Sequence, residues 1–291
     1  MFVTRQSRRR TAGLLFVLPS FIFVIILMVF PLIYSFLLSF SSYNFVYDNS
    51  PQFIFLDNYI QIFKDPLFLN SIRVTFTFVV LGIPIGIIFP LLISLLINKL
   101  GSRTAFYESS IFIPLVVPVS LGCLVFLLML DPTNGFVNYF LTKRLGLAPF
   151  NWAGEEWSAL IIMVLISNWG LGYQVILFLT GLRGVDKELL DAAEIDGASN
   201  IQKTFYVTLP QIKSTTAVVS VLAIIQAFKI FVQPMVLTQG GPFHATETIY
   251  LYLYRTGFEY YEMGRASAMA YFLSMIILLI SIVNLKIFKT E

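Results

Sequence analysis

Thiol and imidazole chemistry is almost missing from this sequence: Cys123 is its single cysteine and His244 its single histidine. A lone cysteine excludes an internal disulfide and a thiolate metal cluster. One imidazole leaves too few groups for the clustered His, Cys, Asp or Glu of a membrane hydrolase or metalloenzyme. His244 stands beside Gly240, Gly241 and Pro242 and reads as a loop residue. No Gly-x-x-x-x-Gly-Lys-Ser/Thr segment is present to cradle ATP phosphates. Charge is scarce too: 12% of the residues are Asp, Glu, Lys or Arg, against about 25% in soluble domains. Within the apolar runs the only acid is Glu108, near an end where it can reach water or Lys99, and the cation at depth is Lys229. Ion-driven carriers place ionisable groups at membrane depth, so a self-contained secondary carrier is disfavoured.

What fills the sequence is apolar. Hydrophobic residues make up 57% of the 291, and they cluster in runs long enough for a helix to cross a hydrocarbon core about 30 Å thick. Backbone polar groups in lipid must be satisfied internally, by helices or by a closed barrel. Segments such as Phe21 to Phe30 and Met275 to Val283 are nearly unbroken apolar runs rather than alternating ones, which excludes the barrel pattern. The expected fold class is all-α, a polytopic membrane protein of about six helices. Candidate spans are Leu14 to Phe40, Val74 to Ile97, Ala105 to Leu130, Trp157 to Leu182, Thr215 to Leu237 and Ala266 to Leu285.

Arg5, Arg8, Arg9 and Arg10 precede the first run. Beside an apolar segment such a cluster is an orientation signal, not a nucleic-acid patch. No Ala-x-Ala-like cleavage site follows, which speaks against a removed signal peptide. With the N-terminus inside, the inside segments hold Arg5, Arg8, Arg9, Arg10, Lys99, Arg103, Arg183, Lys187, Lys203, Lys213, Lys286 and Lys289. The outside loops hold Lys64, Lys143, Arg144, Arg255 and Arg265. Twelve cations against five place both termini and the 183–213 loop in the cytoplasm. Tyr43, Tyr47, Trp152 and Trp157 fit an outer aromatic belt. Pro84, Pro90, Pro114 and Pro118, with Gly82 and Gly86, are expected to interrupt spans two and three.

The 183–213 loop has its own local code. Asp186 is a candidate N-cap with Glu188 in the first turn. Gly197 is a natural stop. Ser199 opens Ser-Asn-Ile-Gln, a capping box closed by Gln202, and Pro210 is expected to end the second short helix. Lys187, Asp191 and Glu194 share one face, while Leu189, Ala192 and Ala193 form a small apolar one. Asp186 to Asp196 holds five acids and one lysine. On these grounds alone it is either a partner's landing site or a solvated connector at the membrane surface.

Two stretches of span four and five are polar at membrane depth. Asn168, Trp169, Tyr173 and Gln174 come with Gly170 and Gly172 to make room. Gln226, Lys229 and Gln233 recur at spacings of three and four, which puts them on one helix face. Such a stripe faces protein or water, as a pathway lining or as glue between helices.

Asp191-Ala192-Ala193, three residues, Gly197, nine residues, Val207, one residue, Leu209 and Pro210 resembles the EAA signature of binding-protein-dependent ABC transporter permeases, with Asp for the leading Glu and Val for Ile. Phe228-Lys229, Leu237-Thr238-Gln239-Gly240-Gly241-Pro242, Thr246-Glu247-Thr248 and Tyr254-Arg255 are similar to carbohydrate permeases of the MalF and UgpA type. The resemblance implies a type I importer permease (MetI-like) fold. It places the cytoplasmic N-terminus, first span and first outside loop in 1–66, and a five-span core in 67–291. It implies a transport subunit rather than an enzyme, with no cofactor on this chain and ATP and Mg on a partner ATPase. The implied partners are a second homologous permease, an ATP-binding subunit dimer, an extracytoplasmic solute-binding protein, a carbohydrate and membrane lipid. Asp191, Ala192, Ala193, Glu194, Asp196, Gly197, Leu209 and Pro210 would form the ATPase-coupling joint. Asn168, Trp169, Gly172, Tyr173, Gln174, Gln226, Lys229 and Gln233 would lie along the substrate path. The expected cargo is a sugar, an oligosaccharide in the first place. Glycerol 3-phosphate or another phosphate ester is the alternative. Lys229 points towards an anion, but lysine after Phe is frequent in neutral-sugar relatives, which favours the neutral reading. The implied location is the bacterial inner membrane.

Overall fold

The structure, a computed structural model, describes residues 5–100 and 104–288, with side chains from 13–100 and 105–288. Arg103 and Lys289, and the side chains of Arg5, Arg8, Arg9 and Arg10, lie outside the described residues. The chain divides into two compact units, Met1–Lys64 with Leu253–Phe272, and Asp65–Tyr252 with Leu273–Glu291.

In the first unit, α1 (Arg5–Val24), a π-turn (Ile25–Val29) and α2 (Phe30–Leu38) follow one another, and Gly13–Leu38 within them is long enough for a span, its most apolar stretch having mean hydropathy 2.9 and no residue buried within the chain. Strands β1 (Ser41–Ser42) and β2 (Gln52–Phe53) pair antiparallel, Ser41 with Phe53 and Ser42 with Gln52. Helix α3 (Asp57–Lys64) follows. Its buried Asn58 donates through Nδ2 to the carbonyls of Ser39 (3.0 Å) and Ser41 (2.9 Å), closing the corner where the span meets the hairpin.

The second unit opens with α4 (Pro66–Asn98), whose Asp65 cap accepts from the Leu67 amide at 2.9 Å. Its 33 residues reach about 50 Å at 1.5 Å per residue. They run unbroken through Pro84 and Pro90, contrary to the expected interruption. Transmembrane helices tolerate proline where neighbouring helices enclose the freed carbonyls, and α4 is the helix most closely flanked here. Of the next two prolines only Pro118 marks a break: Pro114 is carried inside α5 (Thr104–Val116), which meets α6 (Val119–Met129) at 90° with Pro118 capping α6. After α7 (Phe136–Leu145), α8 (Glu156–Ser167) and α9 (Gly172–Arg183) meet at 51°. This second break falls within expected span four, with no proline at it.

The 183–213 loop contains α10 (Lys187–Ile195), α11 (Asn200–Lys203), a π-turn (Thr204–Thr208) and α12 (Leu209–Gln211). The helical run that starts at Asn200 passes through Pro210 and ends one residue later, at Gln211. Then come α13 (Lys213–Phe228), α14 (Val232–Leu237), α15 (Ile249–Tyr254) and α16 (Met263–Phe288), the last two running through both units. Among the described residues, four helical stretches are long and apolar enough to cross a membrane, and up to six spans result if each bent pair counts as one.

Helix α4 packs against α9 and α13 through Ile87, Leu91, Leu95, Phe178, Leu182, Ile212 and Val219. Lipid offers no hydrophobic drive between helices, so close fit and small residues hold such bundles. A methyl on Gly181 would stand 2.5 Å from Thr215 Oγ1, and one on Gly172 would stand 2.5 Å from the Ile111 carbonyl. These glycines set how closely α9 approaches α13 and α5.

Candidate functional site

A cavity of about 470 Å³ opens where three helices end or bend. Helix α8 stops at Ser167, α9 starts at Gly172, and α13 stops at Phe228. Asn168, the C-cap of α8, folds its Nδ2 back onto the Val164 carbonyl at 2.8 Å, satisfying one acceptor of that last turn. Lys229 caps α13, its cation at the negative end of the helix dipole. The break after it is held by Thr248, whose Oγ1 donates to the Ile230 carbonyl at 3.0 Å. The next amide, Ile249, donates to Thr75 Oγ1 at 2.9 Å. The shared face expected for Gln226, Lys229 and Gln233 does not form, because Lys229 to Phe231 leave the helix and Gln233 belongs to α14. All three nevertheless border the cavity.

Six of the eight residues expected along a substrate path line it: Asn168, Trp169, Gln174, Gln226, Lys229 and Gln233. Gly172 and Tyr173 are outside the lining. Gly172 lies against α5, and Tyr173 is 46% exposed. The buried Gln174 donates from Nε2 to Gln226 Oε1 at 3.1 Å, while its own Oε1 has no partner. An unpaired buried carbonyl costs about 1–3 kcal/mol. Trp169 packs edge-on to Phe126 with ring centroids 5.7 Å apart. No carboxylate lines the cavity among the described residues, and Lys229 has no ion-pair partner there.

Gly82, Gly86 and Gly122 also shape the space, and sequence reasoning did not assign them to the path. A methyl on Gly122 would stand 2.9 Å from Trp169 Cζ3, and one on Gly86 would stand 3.2 Å from Asn168 Oδ1. The i, i+4 pair Gly82 and Gly86 was the available signal, since it puts two gaps on one helix face.

The second candidate site is the 183–213 loop. Asp186 caps α10 by accepting from the Glu188 amide at 2.9 Å. The helix closes in a Schellman arrangement: Ala198 N–H reaches the Ala193 carbonyl (2.9 Å), Gly197 N–H the Glu194 carbonyl (3.0 Å), and Gly197 takes φ +80°. Ser199 and Gln202 form the expected capping box. Asp191, Ala192, Glu194, Asp196 and Gly197 are exposed, Ala193 is half-buried, and Leu209 packs against the α9–α13 core beside exposed Pro210. Lys203 Nζ donates to Glu194 Oε2 at 2.8 Å, and this hydrogen bond and charge hold the Glu194 carboxyl below its ordinary range. Ile195, Phe205 and Tyr206 are also exposed. Arg183, at the end of α9, donates to Glu108 of α5, which the sequence had placed within reach of Lys99.

The two helices that frame this loop both end at the cavity. Gln174 stands in the first turn of α9 and Gln226 in the last turn of α13, joined by their amide hydrogen bond.

No protein-family model matches the sequence. It is 32% identical over 283 residues to "Probable ABC transporter permease protein YesP" of Bacillus subtilis (strain 168), covering 96% of this chain and 90% of that one. To "Arabinooligosaccharides transport system permease protein AraP" of the same organism it is 31% identical over 293 residues, covering 97% and 91%. The "sn-glycerol-3-phosphate transport system permease protein UgpA" of Yersinia pestis is 28% identical over 239 residues, covering 81% and 80%. Among solved structures, a chain of a bacterial alginate ABC transporter in complex with alginate pentasaccharide-bound periplasmic protein superposes with a TM-score of 0.87. It shares 23% identity, with 99% of this chain and 98% of that one covered. At that identity the likeness speaks for the fold.

Proposed function

This chain belongs to the ABC transporter permease family, and on that premise we propose that it carries a sugar, in the first place an oligosaccharide, handed to it by an extracytoplasmic binding protein. It is a multi-pass membrane protein and a transport subunit rather than an enzyme. The observation that carries the sugar reading is the central cavity. Trp169 offers a ring face, and Asn168, Gln174, Gln226 and Gln233 bring amides to its lining. Sugars present apolar ring edges and many hydroxyls, and this lining answers both. The arabino-oligosaccharide relative supports the same reading.

Energy would come from ATP and Mg on an ATP-binding subunit dimer beneath the 183–213 loop, with a second permease completing the pathway. Asp191, Ala192, Ala193, Glu194, Asp196 and Gly197 would form the contact, with Leu209 and Pro210 fixing the loop to α13. With Glu194 partly neutralised by Lys203, the acidity left for the partner rests on Asp191 and Asp196. Closure of the ATPase dimer would push α10, and α9 and α13 would carry the push to Gln174 and Gln226. Both termini would lie in the cytoplasm of a bacterial inner membrane.

The unpaired Lys229 ammonium and the glycerol-phosphate relative support a second reading, a phosphate ester as cargo. Identifying the binding protein that co-purifies with this chain, and measuring which solutes raise its melting temperature, separates the two. Protection by oligosaccharides supports the sugar reading; protection by glycerol 3-phosphate alone overturns it.

A further inference from the structure

A second cavity, of about 280 Å³, lies between the N-terminal half of α4, the start of α8 and the loop after α14. It is bordered by Asn70, Arg73, Thr77, Glu156, Trp157 and Phe243. The coupling loop packs at the other end of α4, around Leu91 and Leu95, so this cavity opens at the face where a solute would arrive. One apolar layer separates it from the central cavity. Val74, Phe78, Leu160, Met163, Val164 and Ile230 pack there as a single buried cluster. Val74 and Leu160 face the second cavity, while Phe78 and Ile230 border the central one.

Three features mark the second cavity as a place for a ligand rather than a packing gap. Arg73 and Glu156 both face it, yet neither pairs with the other or with another ionic group among the described residues. Glu156 stands in the first turn of α8, where the dipole favours a carboxylate. Trp157 is 64% exposed, and Phe243 at the rim is 90% exposed. Phe243 and His244 both hold positive φ, +47° and +62°, a conformation that non-glycine residues keep only when surroundings impose it. The surroundings do so: Asn70 Nδ2 donates to the His244 carbonyl at 2.9 Å, and Thr246 Oγ1 to the Gly241 carbonyl at 2.8 Å. The loop thus spends backbone strain on presenting a phenyl ring at a polar mouth.

We infer that this cavity is a receiving subsite that holds one ring of the arriving saccharide above the apolar layer before the central cavity opens to it. The inference rests on the sugar reading proposed above. Trp157 and Phe243 cover the ring faces, and the planar Arg73 and Glu156 groups bind neighbouring hydroxyls in pairs. The layer below, with its Phe78 ring, is the gate the ring waits at.

The test uses the assembled transporter in proteoliposomes, without binding protein. Thr77→Cys places a thiol in the cavity beside Arg73, which favours the thiolate; the native Cys123 is buried. Arabinotriose is expected to slow labelling by a small membrane-impermeant thiosulfonate several-fold, and Arg73→Gln to abolish that protection. In uptake driven by binding protein and ATP, Arg73→Gln should raise KM roughly tenfold with the maximal rate kept, as loss of one charge-assisted hydrogen bond predicts. Saccharide that is taken up but neither slows labelling nor responds to Arg73→Gln overturns the subsite and leaves the sugar reading standing. Uptake of glycerol 3-phosphate with no saccharide uptake overturns the sugar reading and the subsite with it. If the Thr77→Cys complex fails to assemble, the Arg73→Gln kinetics decide alone, and an unchanged KM overturns the subsite.

Discussion

Gly197→Leu separates the strain of a turn from contact with a partner. Gly197 holds φ +80°, and a Cβ built on it meets no atom within 4 Å. Any L-residue there pays the left-handed backbone cost of roughly 1–2 kcal/mol. Within this chain the side chain itself meets open space, so Ala and Leu should lower the chain's own stability by nearly the same amount. If α10 sits in a cleft on an ATPase, the extra methyl groups of Leu enter a packed interface, where overpacking costs roughly 1–3 kcal/mol. At 1.4 kcal/mol per tenfold, that is about ten- to a hundredfold in assembly. Asn is the internal control, because it tolerates the left-handed region but still projects a side chain. The assay is threefold: thermal melting of the detergent-solubilised chain, recovery of the ATPase subunit on co-purification, and ATP-driven uptake. The expected pattern is equal melting shifts for Ala and Leu, with assembly and uptake falling as Ala, Asn, Leu. Equal losses of uptake in Ala and Leu would assign the effect to strain. Normal assembly and uptake in Leu would remove the coupling joint from Gly197.

Gly122→Ala should displace the Trp169 ring, whose Cζ3 lies 2.9 Å from the new Cβ, and lower uptake while assembly is retained; tryptophan emission reports the shift. Gln174→Leu removes both the 3.1 Å bond to Gln226 and the unpartnered carbonyl. It should change stability by less than about 1 kcal/mol, since a lost bond and a lost unsatisfied group offset one another, yet raise the KM for uptake. Asn58→Ala leaves the Ser39 and Ser41 carbonyls without their donor and should cost about 1–3 kcal/mol in denaturant or thermal unfolding. The Glu194 carboxyl is held below its ordinary value of 4.5 by Lys203. Its contribution to the loop is therefore fully present above that ordinary value and is lost as pH falls through the depressed one. Hydrogen exchange at Ala198 and Ser199, corrected for intrinsic rates, should show this acid loosening in the native chain and not in Glu194→Gln.

The loop was the most legible part of the molecule because its code is short-range. Asp186, Gly197 and the Ser199–Gln202 box each act within four residues, and the structure places all of them as caps. The apolar runs were legible for a similar reason, since length and composition alone set a span. The breaks were not. Pro84 and Pro90 look like interruptions and are carried through, while Asn168 to Leu171 and Lys229 to Phe231 carry no proline and leave the helix. What decides these cases is distant in sequence, as with the Thr248 hydroxyl on the Ile230 carbonyl. Residue type picked out six residues that line one cavity, but it could not say that Tyr173 is not among its lining or that Gln174 and Gln226 meet across 52 residues.

The central claim is tested most directly by uptake in proteoliposomes that hold this chain with its co-purified permease and ATPase partners, ATP inside, and the cognate binding protein with labelled arabino-oligosaccharide outside. The account predicts accumulation that requires ATP and the binding protein and stops with Gly197→Leu. Accumulation by this chain alone, or without ATP, would contradict it.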